Sequence, residues 1–158
     1  MKRFFLLLIS LSLATVLPAV SAFWIGEDVG EEPMKGNLYF SVDNVRAAEG
    51  TIWVGIYESA DDFLDREKAR LVSVKVTSMG QAMIEVPNMV FGKRYALAIF
   101  HDKNDNGEFD TNFFGLPSEP WAFSGRLKSR LRLPKFDEVS FTFRHQAPMQ
   151  MLRLRTWF

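Results

Sequence analysis

Tyr95–Phe100, YALAIF, runs without a break into His101–Glu119, HDKNDNGEFDTNFFGLPSE. Unbroken apolarity over so short a run implies a strand covered on both faces and central in its sheet. Gly92 opens it, and a tyrosine such as Tyr95 near a corner can tie strand to loop. The stretch that follows holds five acids, Asp102, Asp105, Glu108, Asp110 and Glu119. Asn104, Asn106, Thr111 and Asn112 add further side-chain oxygens, against a single base, Lys103. A long acidic loop therefore hangs from the most rigid strand, a place where a site can be held firmly.

Outward from this stretch, the chain alternates with a period of two. Asn37–Asp43 puts Leu38, Phe40 and Val42 on one face. Thr51–Glu58 repeats the pattern with Ile52, Val54 and Ile56, and Leu71–Thr77 with Val72, Val74 and Val76. Met79-Gly80 can turn the chain, so that Gln81–Val86 returns as a hairpin partner with Ala82, Ile84 and Val86 inward. Ser59 reads as the N-cap of a short helix reaching about Ala69, with Asp61 and Asp62 in its first turn, and Phe63 and Leu64 packed on the sheet. After the loop, Arg126–Leu133 alternates bases with apolar residues. Ser140–His145 carries Phe141 and Phe143 inward. Met149–Phe158 reads as an edge strand with Leu152, Leu154 and Phe158 inward, its outward Arg153 and Arg155 discouraging further pairing. The expectation is an all-β antiparallel sandwich of about seven strands, with one short helix and one long acidic loop.

Residues 1–22 stand apart. Lys2 and Arg3 precede the apolar run Phe4–Leu17, and Val20-Ser21-Ala22 supplies a small-residue cleavage pattern. This is a signal peptide cleaved after Ala22, and it implies an exported protein, periplasmic or secreted. The alternative is an uncleaved anchor, but the run falls short of the roughly 20 apolar residues a spanning helix needs. No stable membrane span remains after cleavage, and no cysteine at the boundary can accept a lipid. Residues 23–35 mix acids with Gly26, Gly30 and Pro33 and read as a leader; residues 36–158 read as one domain. Cleavage of the 158 residues leaves 136, and removing Lys2 and Arg3 from 19 bases against 19 acids leaves 17 against 19, or −2. That balance argues against nucleic acid as a partner. The chain has no cysteine, which excludes disulfides, thiol catalysis and cysteine-based metal sites.

The loop's chemistry is that of a hard cation. Calcium takes about six to eight oxygens at about 2.3–2.6 Å. Asp102, Asn104 and Asn106 fall on alternate positions, Gly107 allows a sharp turn, Glu108 offers a backbone carbonyl and Asp110 a carboxylate. This is the first part of an EF-hand loop, D-x-N-x-N-G-x-x-D. Phe113 then stands where the bidentate glutamate belongs, so Glu119 is the candidate to close the set. The competing account is that Asp, Asn and Gly simply make turns. Against it, uncompensated carboxylates a few ångströms apart repel by about 1 kcal/mol or more per pair.

The pattern Gly92–Phe100, followed by HDKNDNGEFDTNFFGLPSEPWAFS and then PKFDEVSF, resembles domain-of-unknown-function family 2141 of exported bacterial proteins. The resemblance rests on His101, Asp102, Asn104, Asn106, Gly107, Asp110, Thr111, Asn112, Gly115, Pro117 and Glu119, with Pro134, Phe136 and Phe141 downstream, and spans residues 36–158. It implies an immunoglobulin- or transthyretin-like sandwich and assigns no catalytic residue. Pro120-Trp121-Ala122 and Val139 depart from the family pattern, a change expected at the loop's outer wall. His101, Gly107, Thr111, Asn112, Gly115 and Pro117 are expected to support the loop.

Two further readings accompany the binding module. A metal-assisted hydrolase would use His101 with Asp102 or Asp110 as base. The duller role for His101 is to cap the loop. A carbohydrate-binding module would stack sugars on Phe113, Trp121 and Phe123, residues that can equally roof the core. The bases of Arg126–Arg132 suit an anionic lipid or polysaccharide, a solvated face, or a counter-charge to the loop. The partner expected of the binding module is a cell-envelope or extracellular ligand.

Overall fold

In the computed structural model, which describes residues 32–129, 132–146 and 149–157, the alternating apolar positions face one another across two sheets. The expected signal peptide, residues 23–31 of the leader and Phe158 lie outside the described residues. Eight strands are seen among them: β1 (Lys35–Val45), β2 (Thr51–Tyr57), β3 (Arg70–Lys75), β4 (Gly80–Val90), β5 (Arg94–Asp102), β6 (Trp121–Phe123), β7 (Phe141–Thr142) and β8 (Gln150–Arg153). One sheet has the order β4-β1-β8; the other has β3-β2-β5-β6, with β7 beside the start of β5. Phe40, Val42, Ile84 and Val86 meet Ile52, Val54, Ile56 and Leu97 between the sheets, all of them fully buried. Each such apolar side chain contributes about 1.5–3 kcal/mol on burial. The all-β sandwich is as the alternation implied, and no helix of the described residues is long and apolar enough to cross a membrane.

Strand β5 is central, between β2 and β6. Tyr95, Leu97 and Ile99 enter the main core, while Ala96 and Ala98 enter a second, smaller one with Tyr57, Phe63, Phe136 and Val139. This is the physical reason that YALAIF has no polar face. Tyr95 Oη accepts the Val90 N–H at 2.9 Å across the corner at Gly92.

Four local expectations change. The Met79-Gly80 turn does not return β3 on itself: β3 pairs with β2 and β4 with β1, in different sheets. Apolar cross-strand pairs decide this, with Val54 opposite Val72 and Ile52 opposite Val74 in one sheet, and Phe40 opposite Ile84 in the other. One pair is parallel, β1 with β8, from Phe40↔Gln150 to Asp43↔Arg153. The expected helix after Ser59 is a capped turn followed by a 3-10 helix at Arg66–Lys68. Ser59 Oγ does accept the Asp62 N–H at 3.2 Å. Helical geometry then ends at Leu64, whose φ is 70°, while Phe63 packs edge-on against Tyr57 and Phe136 with ring centroids 5.3 and 6.0 Å away. A short α-helix forms instead at α1 (Phe136–Val139). Finally, the described part of Arg126–Leu133 is not a strand, and its bases do not oppose the acidic loop. Arg132 instead forms a bidentate pair with Glu138 of α1 at 2.7 and 2.8 Å.

Candidate functional site

The site begins where β5 runs out. Thr51 lies opposite Asp102 and Ile52 opposite His101 in the β2–β5 ladder, so both loop-entry residues are buried, at 1% and 0% exposure. His101 Nε2 bonds the Glu49 carbonyl at 2.8 Å, and the His101 backbone N–H donates to the Pro120 carbonyl at 2.8 Å. His101 thereby pins the chain before β2 through its ring and the end of the loop through its backbone. The ring's Nδ1 is buried and has no hydrogen-bond partner among the described residues. Gly50 packs directly on this base: a Cβ there would sit 2.0 Å from the Asp102 carbonyl oxygen.

Asp102 organises the first half of the loop. Its Oδ1 accepts the Asn106 N–H at 3.2 Å, and its Oδ2 accepts Gly107 N–H at 2.8 Å and Trp53 Nε1–H at 3.3 Å. Asn104 Oδ1 accepts the Asn106 N–H at 3.2 Å, and Asn106 Oδ1 accepts the Glu108 N–H at 2.8 Å. These are Asx turns in series, each side chain satisfying a backbone donor two residues on. Both amides donate to Asp110: Asn104 Nδ2 at 2.8 Å and Asn106 Nδ2 at 3.1 Å. Gly107, with φ 77°, supplies the left-handed turn. Glu108 donates its N–H to this network, and its side chain is exposed.

The second half folds back. Thr111 bridges to Pro117, and the Asn112 N–H donates to the Leu116 carbonyl at 2.8 Å. Asn112 Oδ1 receives the N–H groups of Phe114 and Leu116 at 2.9 and 3.1 Å, with Gly115 at φ 73° completing the turn. Glu119 then returns beneath the loop. Its Oε1 accepts the Lys103 N–H at 3.0 Å and its Oε2 the Asp110 N–H at 3.2 Å, joining both halves while only 4% exposed. Burial pushes the Glu119 carboxyl above the usual range; the two N–H donors oppose that, and the charges of Asp102 and Asp110 add to it.

Among the described residues, Asp102, Asp110 and Glu119 make no ion pair. Asp105 differs. At φ 56° it turns outward, its Oδ1 accepting Thr51 Oγ1–H at 2.6 Å and its Oδ2 pairing with Lys75 Nζ at 2.7 Å. The Lys75 hydrogen bond holds its carboxyl below the usual range. No three His, Asp or Glu side chains among the described residues converge as a ready-made ligand group.

The aromatic residues divide. Phe113 is fully exposed at the loop tip, edge-on to Phe114. Phe123 reaches into the smaller core against Phe63, and Trp121 is half-buried beside it with ring centroids 5.7 Å apart. Val139 is buried in that smaller core rather than at the loop's outer wall, and Gly125 makes room for it: a Cβ at residue 125 would lie 2.5 Å from the Val139 Cα.

A family model described as an uncharacterized protein conserved in bacteria, DUF2141, matches residues 40–151, more than half the chain. The chain belongs to this family. No curated protein and no solved structure gives a match. In this DUF2141 chain the matched span runs from within β1 to within β8 and contains the whole acidic loop. Several contributors to the loop's geometry were not evident in the sequence: Trp53, Thr51, Lys75 and Gly50 reach it only through the β2–β3 and β2–β5 pairings. A glycine preceding a strand was the one visible signal, at Gly50.

Proposed function

We propose that this DUF2141 chain is an exported, non-enzymatic binding module whose acidic loop takes a divalent cation, calcium by preference. One observation carries the reading. Asp102, Asp110 and Glu119 are tied into one loop by neutral N–H and amide donors alone in the described residues, and the charges of Asp102 and Asp110 both bear on the Glu119 carboxyl. A hard cation relieves that repulsion. Calcium's oxygen shell draws on amide and backbone oxygens as well as carboxylates, so Asn104, Asn106 and the Glu108 carbonyl complete the donor set. An amide group carries oxygen and nitrogen on the same carbon, and half a turn exchanges them. The ordered loop then presents Phe113 and Phe114, both strongly exposed, to a cell-envelope or extracellular partner. Export, to the periplasm or beyond, rests on Lys2, Arg3, the Phe4–Leu17 run and the Val20-Ser21-Ala22 pattern.

Thermal unfolding tests the cation directly. An ion that binds only the folded state adds about 2.7 kcal/mol at about 100 times its Kd. Calcium is expected to raise Tm, and Asp110→Ala, a half-buried loop position, to abolish the increment while far-UV circular dichroism is retained. A Tm indifferent to calcium, magnesium and manganese rejects the proposal.

A further inference from the structure

Away from the acidic loop, the described residues form a further concavity. It lies at the seam where the edges of the two sheets meet, and it is basic. Trp121 of β6 and Arg155, just beyond β8, exchange backbone hydrogen bonds, each N–H donating to the other's carbonyl at 2.9 Å. These bonds tie the two sheets together at their edges. A cavity of about 630 Å³ opens there, walled by Arg46, Arg153, Arg155, Trp121 and Trp157. A second of about 300 Å³ shares Trp121, Arg153 and Arg155 and adds Arg126. The two flank one indole and form a single cleft.

Four guanidinium groups thus surround the cleft in a protein whose processed chain carries a net −2 by the subtraction above. Among the described residues none of the four has a carboxylate partner; Arg46 donates to the Asn44 amide oxygen at 3.3 Å. Asp43 stands opposite Arg153 in the β1–β8 register, and its carboxylate accepts from Gln81 at 2.9 Å. The Trp121 Nε1–H is buried and has no hydrogen-bond partner among the described residues. Edge protection alone does not account for Arg155, because its backbone is already paired to Trp121.

We infer that this cleft is a binding site for an acidic saccharide, one bearing carboxylate or phosphate groups. Arginine pairs bidentately with both groups through its planar fork. Two indoles offer flat apolar walls for sugar rings, and the larger cavity falls in the range of small-ligand sites, about 300–1,000 Å³. An acyl chain would need an aliphatic channel; the larger cavity supplies Leu154 alone beside the indoles, and the smaller one, though it adds Leu127, Met151 and Leu152, is bordered by Arg126, Arg153 and Arg155. A nucleic-acid strand would need an extended groove.

A glycan array carrying uronate-bearing, phosphate-bearing and neutral saccharides tests the site, using the protein as its host processes it. Retention of acidic glycans, at least tenfold over their neutral counterparts and weakening with salt, is expected. Arg153→Gln and Arg155→Gln, both exposed, are each expected to weaken titrated binding about tenfold with the circular dichroism spectrum unchanged. Binding that persists in EDTA separates this cleft from the cation loop, so either proposal can fail alone. The inference is overturned by retention of no acidic glycan, by equal retention of neutral ones, by indifference to both arginine variants, by loss in EDTA, or by equally tight binding of a single-stranded oligodeoxynucleotide.

Discussion

A methyl group added at residue 50 would strike backbone, not side chain. The ideal Cβ lies 2.0 Å from the Asp102 carbonyl oxygen and 2.7 Å from the Lys103 Cα, and Gly50 has φ 74°. Nothing flexible can yield, so the loop base must move. Gly107 provides the control, because it too has positive φ, 77°, but nothing lies within 4 Å of its Cβ position. Gly107→Ala therefore incurs only the left-handed penalty, about 1 kcal/mol. Gly50→Ala is expected to cost at least about 2 kcal/mol, since strain and steric overlap add. Urea unfolding of the two variants measures the difference, and equal midpoints would show that residue 50 does not set the loop base. Tyr95 makes a similar single-atom case. Tyr95→Phe keeps the ring in the core but leaves the Val90 N–H without its acceptor. A loss of about 1–3 kcal/mol follows, at unchanged m-value. The tyrosine was identifiable in the sequence from its place after Gly92; the clash at Gly50 was not, because it arises from a strand register that no local pattern reports.

At the scale of elements, what could be read locally was strand identity. Leu38, Phe40 and Val42, or Ile52, Val54 and Ile56, declare an inward face whatever their neighbours. What could not be read was which strand each one joins. β3 and β4 are connected by a Met79-Gly80 turn that looks like a hairpin, yet their apolar residues find better-matched partners in opposite sheets. Helix α1 was hidden for a related reason. Four residues carry no periodicity, and the helix is held by Phe136 and Val139 in the smaller core and by Glu138 outside it. The Arg132 guanidinium and the Lys135 N–H hold the Glu138 carboxyl down at about 2. A carboxyl depressed in the folded state gives stability that is present above its unfolded value and lost as pH falls through the folded one. Acid unfolding between the ordinary glutamate value of about 4.3 and the folded value of about 2 should therefore be shallower in Glu138→Gln than in the parent. Parallel acid limbs in the two proteins would show that the pair exists without contributing to stability.

At the scale of the whole molecule, charge is sorted rather than balanced. The acids of the loop lie at the end of β5, and guanidinium groups with no carboxylate partner among the described residues line the seam between β6 and β8. The loop was legible as a cation-like spacing because its residues are contiguous; the basic cleft was not, because Arg46, Arg126, Arg153 and Arg155 meet only when the first and last strands pair. The acid end makes a prediction that joins stability, pH and ion binding. Glu119 is buried and its carboxyl is raised, so the folded chain holds that proton more tightly than the unfolded one. Its contribution is then fully present below the unfolded value, and stability declines as pH rises through the folded value. A bound cation opposes this decline, because it compensates the ionised carboxylates and competes with the proton for the same oxygens. Without divalent ion, the parent should lose stability relative to Glu119→Gln as pH rises from about 4 toward 7, a window that begins at the ordinary glutamate value. The calcium increment in Tm should grow over the same window, and Glu119→Gln should shrink it. Differential scanning calorimetry at about pH 5 and about pH 7, with calcium and with EDTA, resolves both effects. A calcium increment that is constant with pH, or larger in acid, would mean that any bound ion does not sit on the carboxylates that Glu119 joins.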